Sequence, residues 1–317
     1  MANYAIPATL DTVALNTSLA DYAKTLTDNA FNDPTVFKLL NLGSNKKTVD
    51  GGLSLTETLI KEKQSVGGFY LGADVLNNTQ PNTLTTVEFR WQNAYEPIVI
   101  TRDEERMNSG AVHKILDLVA TKTELSRKAI VDRLDQALSI PVAEANFLID
   151  LDTLVNTGTL GNIAGATETF WQATVTTSGA FATQGLTDMN TATLAVSSSS
   201  NVDNPTIYLT TKTVWGKMWN TLLPLERLSN GDMTGNRGVK NLSFMGSPVT
   251  WGQYVKSGTM LGLNENYLRL QVDSATDLVT TDFISPTNQT VKVAYYLWRG
   301  QLTTGNRRRH FKLNTIS

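Results

Sequence analysis

The chain of 317 residues contains no cysteine. Disulfides, cysteine-ligated zinc, iron–sulfur clusters and thiol nucleophiles are thereby excluded, and the absence suits a chain that folds in a reducing cytosol. Histidine is almost as scarce: only His113 and His310 are present. A histidine-built zinc site or a nucleophile–histidine–carboxylate arrangement has little to draw on. Charge is sparse too, at 18% of residues with a formal net charge of −2. A dedicated DNA-binding domain carries a clear basic excess. No segment holds about 18 uninterrupted apolar residues, so none is expected to span a membrane. The N-terminal MANYAIPATLDTVALNTSLADYAKTL lacks the basic start and apolar core of a secretory signal.

Reactive motifs are missing as well. There is no Gly-Lys-Ser/Thr phosphate loop, no G-x-G-x-x-G opening a helix after a strand, no G-x-S-x-G elbow and no EF-hand loop. Asp103-Glu104-Glu105 is explained by a helix start. Asp150 and Asp152 read either as a magnesium-ligand pair or as part of a polar loop. No catalytic, cofactor-binding or metal residue is therefore expected, and no cofactor.

What is present is enough apolar sequence, 41%, to bury a substantial core in one large domain or two smaller ones. Residues 1–47 read as a polar arm with one or two helical turns, or as a poorly ordered terminus. In 48–100, strands at Phe69–Leu71 and Thr86–Trp91 flank a polar tip at Asn77–Asn82, with Val87, Phe89 and Trp91 on one face. A long hairpin buries little against itself and implies a neighbour to lean on. Thr101-Arg-Asp-Glu104 forms a capping box. Behind it Val112, Ile115, Leu116, Val119, Ile130, Leu134, Ala137 and Leu138 recur at helical spacing until Pro141. At 1.5 Å per residue this predicts roughly 55–60 Å of helix over 101–140.

After a Gly- and Thr-rich loop ending at Phe170-Trp171, the pattern becomes α/β. It predicts a helix over Leu186–Val196, a strand over Thr206–Thr210, a helix from Thr211 closed by Pro224, and strands around Leu242–Phe244 and Val249–Trp251. A last strand, Val291–Trp298, places Val291, Val293, Tyr295 and Leu297 on one face. It runs into Arg307-Arg308-Arg309. In an extended strand three successive side chains cannot all face one phosphate backbone. At least one is expected to face its own sheet or a neighbouring subunit's carboxylate, which the guanidinium fork suits, and interface ion pairs are favoured over direct DNA contact.

The order of these elements resembles the major capsid proteins of tailed bacteriophages, with the Hong Kong ninety-seven-type fold that encapsulins share. Val87-Glu-Phe-Arg-Trp-Gln-Asn-Ala-Tyr95, then Ile98-Val-Ile-Thr-Arg-Asp-Glu-Glu105 and Asn108-Ser-Gly110, resembles that family's passage from extended loop into spine helix. Gly165–Trp171 resembles its glycine-rich stretch ending in tryptophan. Leu242-Ser-Phe-Met-Gly-Ser-Pro-Val249, Val255-Lys-Ser-Gly258 and Tyr267-Leu-Arg-Leu270 resemble an axial-domain segment, and Gly305-Asn-Arg-Arg-Arg309 to Ile316 a subgroup's C-terminus.

The resemblance implies an α+β phage major capsid fold. It would comprise an N-terminal arm (1–47), an extended β-hairpin loop with flanking strands (48–100), a peripheral domain (101–185), an axial domain (186–288) and C-terminal strands returning to the peripheral domain (289–317). It implies a non-enzymatic shell subunit of the virion, made in the host bacterial cytoplasm and forming homo-oligomeric pentamers and hexamers. Its partners would be a separate scaffolding protein, portal and decoration proteins, and packaged double-stranded DNA by non-specific contact, with no membrane. The candidate intersubunit contacts are Arg90, Trp91, Arg307, Arg308 and Arg309. Phe69, Tyr70, Phe89, Trp91 and Tyr95 either pack between subunits or fill the subunit's own core. Lys61 and Lys63 lie in the loop where some family members crosslink, without a motif that supports a crosslink here. An encapsulin-like cage shares the fold; a hydrolase or transferase on an α/β scaffold lacks its motifs.

Overall fold

Alternation along the chain sets the strands, and a computed structural model describes residues 30–41, 45–107, 118–145, 147–198, 203–229, 242–287 and 289–317. In chain order these hold helix α1 (Thr35–Asn41), strands β1 (Lys46–Val49), β2 (Ser54–Ile60), β3 (Leu84–Arg90) and β4 (Gln92–Thr101), and helices α2 (Arg102–Met107), α3 (Leu118–Ser139) and α4 (Leu151–Leu154). Then follow β5 (Thr174–Thr177), α5 (Leu186–Val196), β6 (Ile207–Thr210), α6 (Lys212–Ser229), β7 (Leu242–Phe244), β8 (Ser247–Trp251) and β9 (Met260–Leu263). The chain closes with β10 (Leu268–Thr280), β11 (Val291–Thr304) and β12 (Phe311–Asn314). The strands form a four-stranded sheet ordered β1-β10-β11-β4, a six-stranded sheet ordered β5-β12-β9-β6-β8-β7, and the two-stranded hairpin β2-β3.

The chain divides into two compact units. The smaller contains Asn93–Leu134 and Ala275–Arg299. Within it the capping box forms as its residues dictate. Glu104 N–H donates to Thr101 Oγ1 at 3.3 Å, and Thr101 N–H donates to Glu104 Oε2 at 2.9 Å. Lys122 Nζ bonds the other Glu104 oxygen at 2.8 Å, and Ser126 Oγ donates to the Pro97 carbonyl at 3.1 Å. Of the helix expected over 101–140, α2 and α3 are described; residues 108–117, with Gly110, His113 and three of the expected apolar positions, lie outside the described residues. Ile130 is buried as its spacing implies, whereas Val119 is exposed. The more buried face of the first part of β11 carries Ala294, Tyr296 and Trp298. The expected stripe is only half-buried at Tyr295, which packs edge-on against Tyr95 with centroids 6.1 Å apart.

The larger unit comprises Pro34–Gln92, Asp135–Ser274 and Gly300–Ser317. α1 buries Val36, Phe37 and Leu40, and the Phe37 N–H donates to Asp135 Oδ1 at 2.8 Å. The six-stranded sheet and α5 and α6 share one apolar cluster containing Phe181, Met189, Tyr208, Met218, Met260, Phe311 and Leu313. Gly262 in β9 is what allows Phe311 into that cluster, because a Cβ there would lie 2.1 Å from its ring. α5 has the bounds its spacing predicts. α6 does not end at Pro224 but continues to Ser229. A proline removes one N–H and crowds the carbonyl four residues back, a local cost that does not end the helix here.

In the hairpin, Leu55 faces Phe89 and Leu59 faces Thr85. Leu55, Leu59, Val87 and Phe89 are buried on one face. Phe69–Leu71 is not a strand: the connection from 61 to 83 has no ladder partner and is largely exposed, and an extended run without a partner has no ladder to stabilise it. No helix among the described residues is long and apolar enough to cross a membrane. We expect Thr101→Ala to cost about 1 kcal/mol of helix-start stability. It should appear as roughly fivefold faster hydrogen exchange across α2; unchanged exchange would show that the cap contributes nothing.

Candidate functional site

The arginine run is one turn of 3-10 helix, Arg307–Arg309, between β11 and β12. This corrects the expectation of a strand end, and it changes the geometry. A 3-10 helix has three residues per turn, so successive side chains diverge by a third of a circle. Each arginine consequently meets a different environment.

Arg307 points inward and is fully buried. Its Nε donates to the Leu154 carbonyl at 2.6 Å and its Nη2 to the Thr153 carbonyl at 2.9 Å. Its Nη1 donates to the carbonyls of Gly158 at 2.6 Å and Trp171 at 3.1 Å. Burial lowers its pKa to about 10, so it stays charged at neutral pH. Those carbonyls belong to the end of α4 and to the glycine-rich loop behind it. As a candidate intersubunit contact Arg307 is therefore corrected: it is fully buried, and four of its five donors are spent on carbonyls of its own subunit. Arg309 reaches sideways, donating to the Val196 carbonyl at 2.8 Å and pairing with Asp203 at 3.1 Å. Asp203 also accepts from Tyr267 Oη at 2.7 Å and Ser198 Oγ at 2.8 Å. Arg308 alone projects into solvent.

His310, next in the chain, is fully buried. Its Nδ1 accepts from the Asn264 N–H at 3.1 Å, which leaves the proton on Nε2, 3.3 Å from Thr304 Oγ1. Burial, reinforced by the Arg307 charge, pushes its pKa down to about 3. It is a core histidine. Lys312 Nζ bonds the Asp152 carbonyl at 2.9 Å and its Oδ1 at 3.1 Å, while Lys256 takes the other oxygen at 3.3 Å. Asp150 caps α4 by accepting from the Thr153 N–H at 2.8 Å. The two aspartates are thus tied up structurally, and no three His, Cys, Asp or Glu side chains group as metal ligands among the described residues.

Arg90 and Trp91 end the hairpin base. Trp91 is buried, which corrects its place among the candidate contacts; Arg90 is exposed, its guanidinium 5.6 Å from the Phe147 ring centroid. Holding this corner is Gln301, which sequence reasoning missed. Its Nε2 donates to the carbonyls of Arg90 and Phe147, and its Oε1 accepts from the N–H groups of Ile149 and Leu302, both at 2.9 Å. Two further clamps went unread. Asn162 grips β3, accepting from the Glu88 N–H at 3.0 Å and donating to the Thr86 carbonyl at 3.3 Å. Glu57 Oε1 of β2 accepts from Gln271 at 3.0 Å and Thr303 at 3.1 Å. Gly161 makes the first clamp possible: its φ is +64° and a Cβ would sit 2.7 Å from the Glu88 carbonyl oxygen. The one available signal was a glycine-rich loop; the partners lie more than 70 residues away.

No protein-family model matches the sequence, and no curated protein does. Solved structures do match. A chain of the cyanophage A-1(L) capsid asymmetric unit superposes with a TM-score of 0.69 at 16% identity, over 94% of this chain and 97% of the other. A chain from Mycobacterium phage Bobi gives 0.61 at 14% identity, covering 94% and 95%. The SrpI encapsulin of Synechococcus elongatus PCC 7942 gives 0.61 at 11% identity, covering 97% and 95%. The chain has the Hong Kong ninety-seven-type capsid fold.

Two outcomes test this account. Arg307→Ala should lower the stability of the unassembled subunit by about 3–5 kcal/mol in urea titration, because it strands buried carbonyls, whereas Arg308→Ala should stay within about 0.5 kcal/mol. For His310 the folded pKa lies below the unfolded value. The unfolded chain therefore binds the proton first as pH falls, and stability is lost progressively between about 6.5 and 3. One such group gives up to about 1.36 kcal/mol per pH unit. His310→Gln should remove that part of the slope in unfolding measured from pH 7 to pH 5.

Proposed function

We propose that the chain is a major capsid protein, self-assembling into the icosahedral head that encloses the double-stranded DNA of a tailed bacteriophage. On this reading its partners are copies of itself in pentamers and hexamers, a separate scaffolding protein, a portal and decoration proteins, with DNA held only by non-specific contact. Residues 186–288 would be the axial domain and the hairpin with its connection the extended loop laid over a neighbour.

The observation that carries the reading is the apolar surface of that connection. Phe69 and Val75 are at least 98% exposed, with Tyr70, Leu71 and Leu76 beside them. Contiguous apolar surface of this kind marks an interaction site. The aromatic set divides accordingly: Phe89 and Trp91 fill the subunit's own core, and Phe69, Tyr70 and Tyr95 remain available to a partner. The likeness to an encapsulin over nearly the whole chain supports a second reading, a protein-filled compartment.

Electron microscopy of purified protein should show shells of uniform diameter. Nuclease-protected DNA inside them supports the phage head, and protein cargo supports the compartment. Trypsin should cut the unassembled subunit at Lys61 and Lys63 and leave the assembled one intact at both; equal cleavage would sink the loop-on-neighbour arrangement.

A further inference from the structure

β2 is paired along one edge and open along the other. The Lys61 N–H donates to the Thr83 carbonyl at 2.9 Å, which marks a directly opposed, hydrogen-bonded pair. In an antiparallel ladder such pairs recur every second residue, at Leu59–Thr85, Glu57–Val87 and Leu55–Phe89. The N–H and C=O groups of Thr56, Thr58 and Ile60 therefore point away from β3. Among the described residues β2 pairs with no other strand, and these groups have no other backbone partner. An open strand edge is a template for a further strand.

Beside this edge run two adjoining clefts of about 380 and 340 Å³, both lined by Thr58, Leu59, Tyr267 and Gly305. Arg269 lines the first, and Lys61 and Arg308 the second. None of these three cations has an ion-pair partner among the described residues. The acid at the site, Glu57, already has Oε1 engaged by Gln271 and Thr303. The groove thus offers a row of unpaired backbone groups flanked by net positive charge, three cations (Lys61, Arg269, Arg308) against the one carboxylate of Glu57.

We infer that an extended, acidic segment of a second copy of this chain adds to β2 as a strand, its carboxylates meeting Lys61, Arg269 and Arg308. Strand addition of this kind takes its affinity from main-chain bonds and its selectivity from the flanking side chains. A cleft of a few hundred Å³ admits an extended polypeptide but not a nucleic-acid duplex. Each subunit presents one such groove, a ratio of one site per chain. In a closed shell another copy of the chain meets that ratio by symmetry. The inference rests on the shell reading proposed above.

Hydrogen exchange on the full chain, unassembled and assembled, tests it. The amides of Thr56, Thr58 and Ile60 should slow by about tenfold or more on assembly, as expected for gaining a hydrogen bond. Those of Leu55, Glu57 and Leu59 should be protected in both states. Thr58→Pro removes only an outward N–H, which an edge strand tolerates. It should leave subunit unfolding unchanged while lowering shell yield roughly tenfold, with Thr58→Ala assembling normally and Arg308→Glu assembling poorly. Wild-type shells that form without slowing exchange over 54–60 would overturn the strand addition and leave the shell reading standing. So would slowing seen only when duplex DNA is added. Wild-type protein that never associates overturns both. Should Thr58→Pro not fold, the wild-type exchange pattern decides alone.

Discussion

Burying a polar side chain requires giving it a partner, and the larger unit is organised around that requirement at one place. Between Gln301 and Lys312 six polar side chains, Gln301, Thr303, Thr304, Arg307, His310 and Lys312, are buried. Thr304 and His310 meet within the segment, and the other contacts reach different parts of the chain. Gln301 joins the end of β3 to residues 147–149, Thr303 meets the base of β2, and Arg307 gathers α4 and the glycine-rich loop. His310 reaches Asn264, and Lys312 reaches Asp152. The segment works less as a strand in a sheet than as a polar spine. Removing Gln301, Arg307 or Lys312 leaves desolvated polar groups on other elements.

The same feature explains what the sequence disclosed and what it did not. Local rules were legible: the Thr101–Glu104 box, the α5 spacing and the alternation through Val87, Phe89 and Trp91 all depend on residues within a few positions of one another. The Arg307–Arg309 run was misread as strand because nothing within the run distinguishes extended backbone from a single 3-10 turn. What decides is a set of carbonyls about 150 residues away. Asn162 and Gln301 were invisible for the same reason. An amide side chain that substitutes for a strand partner looks in sequence like any other polar residue. Phe69–Leu71 failed in the opposite sense: apolar and aromatic residues favour strands only when there is a surface to pack on, and here none is supplied by the subunit.

The hairpin shows how those two classes of residue combine. Its base is held by clamps on both strands, Glu57 on β2 and Asn162 against β3. Beyond Lys61 the chain makes local bonds such as Leu71 to Asp74 at 2.9 Å and little else. A fixed base with an exposed apolar end suits an element whose position is set by its own subunit and whose end is covered by another.

The carbonyl partners of Arg307 have a consequence for how the subunit meets a changing medium. Most buried cations face a carboxylate, which acid can discharge. Peptide carbonyls do not titrate, and a guanidinium buried among them is poorly reached by mobile ions. The surface pairs Lys292–Glu105 and Arg127–Glu124 must loosen as salt rises. The buried joint at Arg307 does not share that dependence. A subunit wired in this way can let its outer charges respond to salt while the Arg307 joint stays as it is.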